Sequence, residues 1–374
     1  MNYAGRILAA TSADFAGYQR SPGAFPGVVD LSMGEIQIAH PAWLRAAVAE
    51  GAQRAPLGYV DPRGIAGLRQ QYVAFLGSQG YAVDERQVLV TAGAKEAIFV
   101  ALITKSDERT TLLLPQPGWT PYFMWAKGLA MQVRFYDIRG AGLVERLEVL
   151  FRQAPSSVLV LNSPHNPTGV EVSRKDFDAI VERARHYGVV VISDEVYRHV
   201  ARAQTPGSVL DHIQAGERQV IQVDSLSKML GVAGLRIGFL LADPETVKAL
   251  EAVRSSVGSC VSSVAQTIAQ AMLAHEACQH WIAEIKDVCR HHLSSMEEGL
   301  VQHGYDVESL GALYLWVRNQ LRATGQHTTH IDLGGTPASV SPGHLFGCPG
   351  FFRVCPIREK AVLASVLPDA TTNE

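Results

Sequence analysis

Seven short apolar runs, at residues 87–91, 111–114, 132–136, 157–161, 189–193, 219–224 and 237–241, constrain this chain more than any other feature. Most are continuous in hydrophobicity rather than alternating, the pattern of a strand covered on both faces. Amphipathic helical stretches lie between them. In 174–187, for instance, Phe177, Ile180, Val181 and Ala184 fall on one face. Strands alternating with helices in this way predict an α/β fold: a mostly parallel seven-stranded sheet flanked by helices. The runs do not give the order of the strands.

Beyond residue 241 the pattern changes. Residues 244–257 and 264–303 read as long helices, and short segments at 312–317 and 351–356 are separated by a Gly/Pro-rich stretch at 334–350. A smaller α+β domain is expected there, with the N-terminal forty residues, turn-rich at 21–27, packed beside it. The expected division is a large domain at 42–258 and a small one from 1–41 and 259–374. A chain of 374 residues is longer than one core usually organises, in keeping with two units.

The net charge of −3 gives no reason to expect a nucleic-acid or membrane-surface partner. No run of about 18 apolar residues is present to span a bilayer, and residues 1–16 lack the apolar core of a secretory signal. Cys260, Cys278, Cys289, Cys348 and Cys355 form no CxxC pair and read as reduced, mostly buried thiols of a cytoplasmic protein. His275, His280, His291 and His292 show no clean metal-ligand spacing, so no metal is expected.

Chemistry concentrates in Asp-Ser-Leu-Ser-Lys-Met-Leu-Gly-Val-Ala-Gly-Leu-Arg-Ile-Gly, residues 224–238. Lys228 follows an apolar strand directly, at the place where ligands collect in α/β sheets. A nucleophilic lysine must shed its proton near neutral pH, which a desolvated, cation-rich pocket promotes. Ser225 and Ser227 can donate to a phosphate, and Arg236 can grip one in fork geometry. Gly231, Gly234 and Gly238 let the backbone turn tightly around it. A surface lysine with an unrelated arginine would read the same way were the segment alone.

Other strand ends carry further candidates. Asn-Ser-Pro-His-Asn-Pro-Thr-Gly, 162–169, is a turn that leaves the Asn166 amide free to donate to a ligand oxygen. Residues 191–197 end a strand on Asp194, an acid that suits a helix N-cap or a ligand. Residues 91–97 join a strand to a helix whose first N–H groups suit a phosphate, the Lys95 side chain reading as a solvated charge. Pro-Gln-Pro-Gly-Trp places Trp119 just past another strand end. Arg353, in a late apolar strand, needs an anionic partner.

In this order, and over about 30–353, these segments resemble the class I/II aminotransferases, pyridoxal 5′-phosphate (PLP) enzymes of fold type I. The resemblance implies that Lys228 carries PLP as an imine and, once released, moves a proton between substrate and cofactor. It implies that Asp194 pairs with the pyridine nitrogen and that Asn166 and Tyr197 bond the ring oxygen. Trp119 would stack on the ring. Gly93, Ala94 and Lys95, mainly through backbone amides, would hold the phosphate together with Ser225, Ser227 and Arg236. Arg353, with Gly34 and Asn166, would hold the substrate carboxylate. Tyr59 would reach the phosphate of a neighbouring subunit, implying a homodimer with shared sites. Near Gly34 the chain departs from the family, with Ile36-Gln37 where Pro-Asp is usual. Glu195 is expected to be structural.

The implied activity moves an amino group between an L-amino acid and a 2-keto acid. A PLP-dependent lyase or cyclase would use the same site. A regulatory protein keeping the domain as a sensor is the third reading, although no basic helix-turn-helix precedes residue 30. Side-chain specificity is expected from 35–38 and from a loop at 255–263. Ile36, Ile38 and Trp119 predict an apolar or mixed pocket, and the loop offers no cation for a dicarboxylate, which disfavours aspartate or glutamate as the primary donor. The polar stretch 321–341 is unassigned.

Overall fold

The computed structural model describes residue 5 and residues 27–319 and 329–366; the expected turn at 21–26 and the polar residues 321–328 lie outside the described residues. Each apolar run forms a strand of one sheet: β1 (Val88–Thr91), β2 (Thr111–Pro115), β3 (Gln132–Tyr136), β4 (Val158–Asn162), β5 (Val190–Asp194), β6 (Val220–Ser225) and β7 (Gly238–Leu241). Their order is β1-β7-β6-β5-β4-β2-β3. Strand β7 runs antiparallel to both neighbours, and all other neighbours are parallel. Every residue of β1, β4, β6 and β7 is buried, which is why these runs are apolar without alternation. Edge strand β3 is largely exposed and correspondingly carries Gln132 and Arg134.

The crossover helices follow from local chemistry. Arg174–His186 buries Phe177, Ile180, Val181 and Ala184 against the sheet. Ser173 caps it by accepting from the Asp176 amide, and Arg183, Arg185 and His186 sit where its dipole favours cations. Helix Pro244–Gly258 starts on Asp243, whose carboxylate accepts from the Glu245 and Thr246 amides.

The stretch expected to be helical at 264–303 is two helices, Ser263–Ala274 and Cys278–Gln302. Tertiary packing makes the break. The His275 ring stacks on Trp43 with centroids 4.5 Å apart, and its Nδ1 accepts from the Ala277 amide at 3.1 Å. Helix Ser263–Ala274 lies so close to Ala42–Arg54 that a Cβ on Gly51 would strike the Ile268 backbone.

Two smaller sheets complete the described chain. Ser341–Pro342, Phe351–Val354, Tyr314–Arg318 and Asp306–Gly311 form an antiparallel sheet in that order. The strand Asp306–Gly311 was not visible in the pattern, because it is polar and only part-buried. Val29–Asp30 pairs in parallel with Thr336–Ser339, tying the N-terminal segment to the C-terminal third. Cys278, Cys289 and Cys355 are buried thiols outside any disulfide. Among the described residues no helix is long and apolar enough to cross a membrane.

Candidate active site

A cavity of about 560 Å³ lies where the ends of β4, β5 and β6 face the antiparallel sheet. Asn162 and Asp194, the last residues of β4 and β5, are register partners. The Asn162 side chain donates to the Asp194 carbonyl at 2.9 Å and accepts from the Asn166 amide at 2.8 Å, closing the turn back on the strand end. That holds the Asn166 Nδ2 group 3.3 Å from Tyr197 Oη, to which it donates.

The Asp194 carboxylate is buried and accepts from Tyr122 Oη. Burial pushes its pKa up to about 6, although the Tyr122 bond works the other way. A buried carboxylate with no cation beside it among the described residues favours a positively charged ligand atom.

Lys228 is placed by a one-turn helix, Leu226–Met229, whose N-cap Ser225 accepts from the Ser227 amide. Its ammonium donates to the Gly34 carbonyl at 2.5 Å. Burial brings its pKa down to about 8; Cys355 and Glu35 oppose the shift, and Arg353 and Arg236 reinforce it.

Beside Lys228 is a nest for an anion. Helix Ala94–Lys105 starts after Gly93, at φ +77°, with no side-chain cap, so the first-turn N–H groups are left for a ligand. Arg236, itself left-handed at φ +55°, lays its guanidinium over Gly93 so closely that a Cβ there would collide with it. The Ser225 and Ser227 hydroxyls are 3.0 Å apart and line the same cavity. Gly238 packs on the Gly93–Ala94 backbone and Gly231 has φ +72°. Gly234 does not share that role: it lies in a short 3-10 turn, without a positive φ and with open space beside it.

Lys95 also differs from expectation. Its side chain lines the cavity, with the ammonium 5.4 Å from the Trp119 ring centroid, where the aromatic face attracts a cation. Partial burial and then Arg236 lower its pKa. Trp119 itself is fixed at the start of helix Thr120–Gly128, edge-on to Tyr122 at 5.3 Å.

The opposite wall carries Arg353, on Phe351–Val354. Its guanidinium donates to Asn166 Oδ1 at 2.8 Å, the Ser32 carbonyl at 2.7 Å and Ser341 Oγ at 3.1 Å, all neutral acceptors. Its Nε has no hydrogen-bond partner among the described residues. The rings of Tyr314 and Phe346 flank it at 4.5 and 5.0 Å. A buried guanidinium satisfied only by neutral groups is a receptor for an anion. Gly34 lies under Tyr314, where a Cβ would meet the phenol oxygen.

Neither Tyr59, expected to serve a neighbouring subunit, nor the segment 255–263 lines this chain's cavity. Tyr59 is 91% exposed. Residues 255–258 are the last turn of Pro244–Gly258 rather than a loop, the Ser255 and Ser256 hydroxyls bonding back to the carbonyls of Ala252 and Val253. Tyr122, Tyr314, Asn162, Ser32 and Ser341 were missed. Tyr122 had a signal, since it lies one helical turn after Trp119. Tyr314 had none. Glu195 is buried and accepts from Ser193 Oγ, Ser208 Oγ, the Val209 amide and Gln222 Nε2, bracing the strand ends.

Residues 26–366 match the family described as aminotransferase class I and II. The chain belongs to that family. This aminotransferase is 28% identical to the aspartate aminotransferase of Thermotoga maritima, over 87% of this chain and 86% of that one. It is 30% identical to a 4-dedimethylamino-4-oxo-anhydrotetracycline transaminase of Streptomyces rimosus, over 89% of this chain and 90% of that one. In fold it resembles a double mutant of Thermus thermophilus aspartate aminotransferase, with a TM-score of 0.82 at 22% identity over 97% of each chain. The protein is an enzyme that transfers amino groups, and the comparisons give the lyase or cyclase alternative no better support.

Proposed function

We propose that this aminotransferase binds PLP in the 560 Å³ cavity and uses it to exchange an amino group between an L-amino acid and a 2-keto acid. The observation that carries the reading is the convergence of Lys228, a cation-seeking Asp194 and an uncapped helix start with Arg236 around one space. Lys228 would bear the cofactor. Asp194 would hold a proton on the ring nitrogen, with Asn166 and Tyr197 at the ring oxygen and Trp119 against its face. The amides of Gly93, Ala94 and Lys95, with Ser225, Ser227 and Arg236, would hold the phosphate. When bound, PLP supplies an electron sink for the pair released at the substrate α-carbon.

The chain's own groups do the rest. Arg353, backed by Asn166 and Gly34, receives the α-carboxylate in fork geometry and so fixes the α-carbon. Lys228 Nζ, at a pKa of about 8, is neutral often enough near physiological pH to take the α-proton and give it back. Trp119, Tyr314 and Phe346 supply aromatic walls to the cavity.

Tyr59 would act in a partner subunit's site, which makes a homodimer part of the reading; its near-complete exposure in the single chain supports this. The two-unit division, 42–258 and 1–41 with 259–374, also belongs to the reading, supported by the pairing of Val29–Asp30 with Thr336–Ser339. The thiols of Cys278, Cys289 and Cys355 support a cytoplasmic setting. Aspartate is the first donor to test, because relatives carry that name and the Lys95 ammonium stands in the cavity wall.

The test is a half-reaction. Holoenzyme mixed with single amino acids should convert to the aminated cofactor, and Lys228→Ala should abolish conversion. Retained transamination in Lys228→Ala, or ammonia release in place of the aminated cofactor, overturns the reading.

A further inference from the structure

Tyr314 touches three groups of the site at once. Its hydroxyl is 2.7 Å from Tyr197 Oη, its ring centroid is 4.5 Å from the Arg353 guanidinium, and its hydroxyl occupies the space a Gly34 side chain would need. The Tyr197 and Tyr314 rings meet edge-on, 5.4 Å apart. Asn166 closes the circuit, donating to Tyr197 Oη and accepting from Arg353. Tyr314, Tyr197, Asn166 and Arg353 thus form a closed loop of contacts joining the two ends of the cavity.

Proton bookkeeping gives this loop a direction. A phenol has one proton to donate. Tyr197 already accepts from Asn166 Nδ2. Were Tyr197 to donate to Tyr314, it would have no proton left for a ligand. If Tyr314 donates instead, the Tyr197 proton is free to point into the cavity. Either hydroxyl of this 2.7 Å pair can be the donor, and only donation by Tyr314 leaves the Tyr197 proton for a ligand. Burial raises both phenols, Tyr314 to about 12 and Tyr197 well above its ordinary 10.0, so both keep their protons near neutral pH.

We propose that Tyr314 is a positioning residue for transamination: its hydroxyl donates to Tyr197 and so turns the Tyr197 proton toward the ligand ring oxygen, while its ring seats Arg353 for the carboxylate. This rests on the roles given above to Tyr197 and Arg353. It adds that the two roles are coupled through one side chain from the antiparallel sheet.

The experiment uses holoenzyme and the visible absorption band of lysine-bound PLP. In Tyr314→Phe, which keeps the ring, the apparent pKa of that band should rise by about half a unit or more, because the ring oxygen meets a weaker donor. Turnover should fall about 3- to 10-fold with little change in KM, the effect of one hydrogen bond. Tyr314→Leu removes the ring as well and should raise KM for the amino acid about 5-fold or more beyond Tyr314→Phe, as a lost cation–π platform does. The band is read per bound cofactor, so a partly folded preparation leaves its pKa unaffected. An unchanged band pKa in Tyr314→Phe overturns the proton-directing role, and equal KM values in the two variants overturn the seating role. If wild-type holoenzyme showed no lysine-bound band at all, the PLP assignment itself would fall, a result distinct from either.

Discussion

Asp194 and Asp224 stand at the ends of adjacent parallel strands, β5 and β6, and both are buried. Burial raises the Asp194 carboxyl to about 6, and one phenol, Tyr122, is its main donor. Burial acts on Asp224 too, yet its carboxyl ends below the ordinary 3.8, because His199, Arg198 and Tyr72 outweigh it. Asp224 accepts from Tyr72 Oη at 2.8 Å, His199 Nε2 at 2.9 Å and the Ser225 amide at 2.7 Å. The comparison separates scaffold from site. A buried acid with all its partners supplied by the protein belongs to the framework, and one left short of positive charge beside a cavity awaits a ligand.

The largest effect should come from Asp194→Asn. A neutral amide cannot hold a cationic ring nitrogen, so turnover should fall about 10²- to 10³-fold, read by steady-state kinetics on PLP-saturated enzyme. A loss within about twofold would break the comparison.

The second expectation concerns pH. The folded value of Asp194, about 6, lies above its ordinary 3.8, so its contribution to the PLP-free protein is complete below 3.8 and is lost as pH rises through 6. That span is worth on the order of 3 kcal/mol. Denaturant melts of PLP-free wild type and Asp194→Asn between pH 4 and 7 should differ by this slope. Asp224, displaced downward, has the opposite sign: its contribution is present above 3.8 and fails as pH falls through its folded value.

Asp224→Asn should lower stability by about 2 kcal/mol, the cost of weakened bonds to a buried charge, while turnover per folded enzyme changes less than about threefold. A collapse of turnover with unchanged melting would place Asp224 in the site after all. The smallest effect is expected of Tyr122→Phe. Losing its donor should drive the Asp194 pKa above about 6 and cost about fivefold in turnover.

The same contrast explains what the sequence made legible. On the sheet side, a parallel strand ends in a turn, and the turn carries both the punctuation and the chemistry. Asp194, Asn166 and Lys228 could therefore be read from contiguous segments, and the seven strands fell within a residue or so of their apolar runs. The facing wall has no such unit. Arg353 reaches back 321 residues to the Ser32 carbonyl, and Tyr314 arrives through the pairing of its strand with Phe351–Val354. Arg353 was found through family likeness and because a charge among apolar flanks demands a partner, whereas Tyr314, between Leu313 and Leu315, reads as an ordinary core aromatic. The break at 275–277 was hidden for the same reason, since Trp43, on a distant helix, makes it.

Gly169 and Gly311 meet backbone to backbone where the 162–169 turn touches the strand Asp306–Gly311, and a methyl on either would strike the main chain of the other. Ser309 Oγ adds a bond to the Thr168 carbonyl at 2.8 Å. Main chain resting on main chain has no rotamer to adjust and no side chain to compress. The interval between the loop that presents Asn166 and the sheet that presents Arg353 is therefore a fixed gauge, indifferent to most substitutions around it and intolerant of any at those two positions.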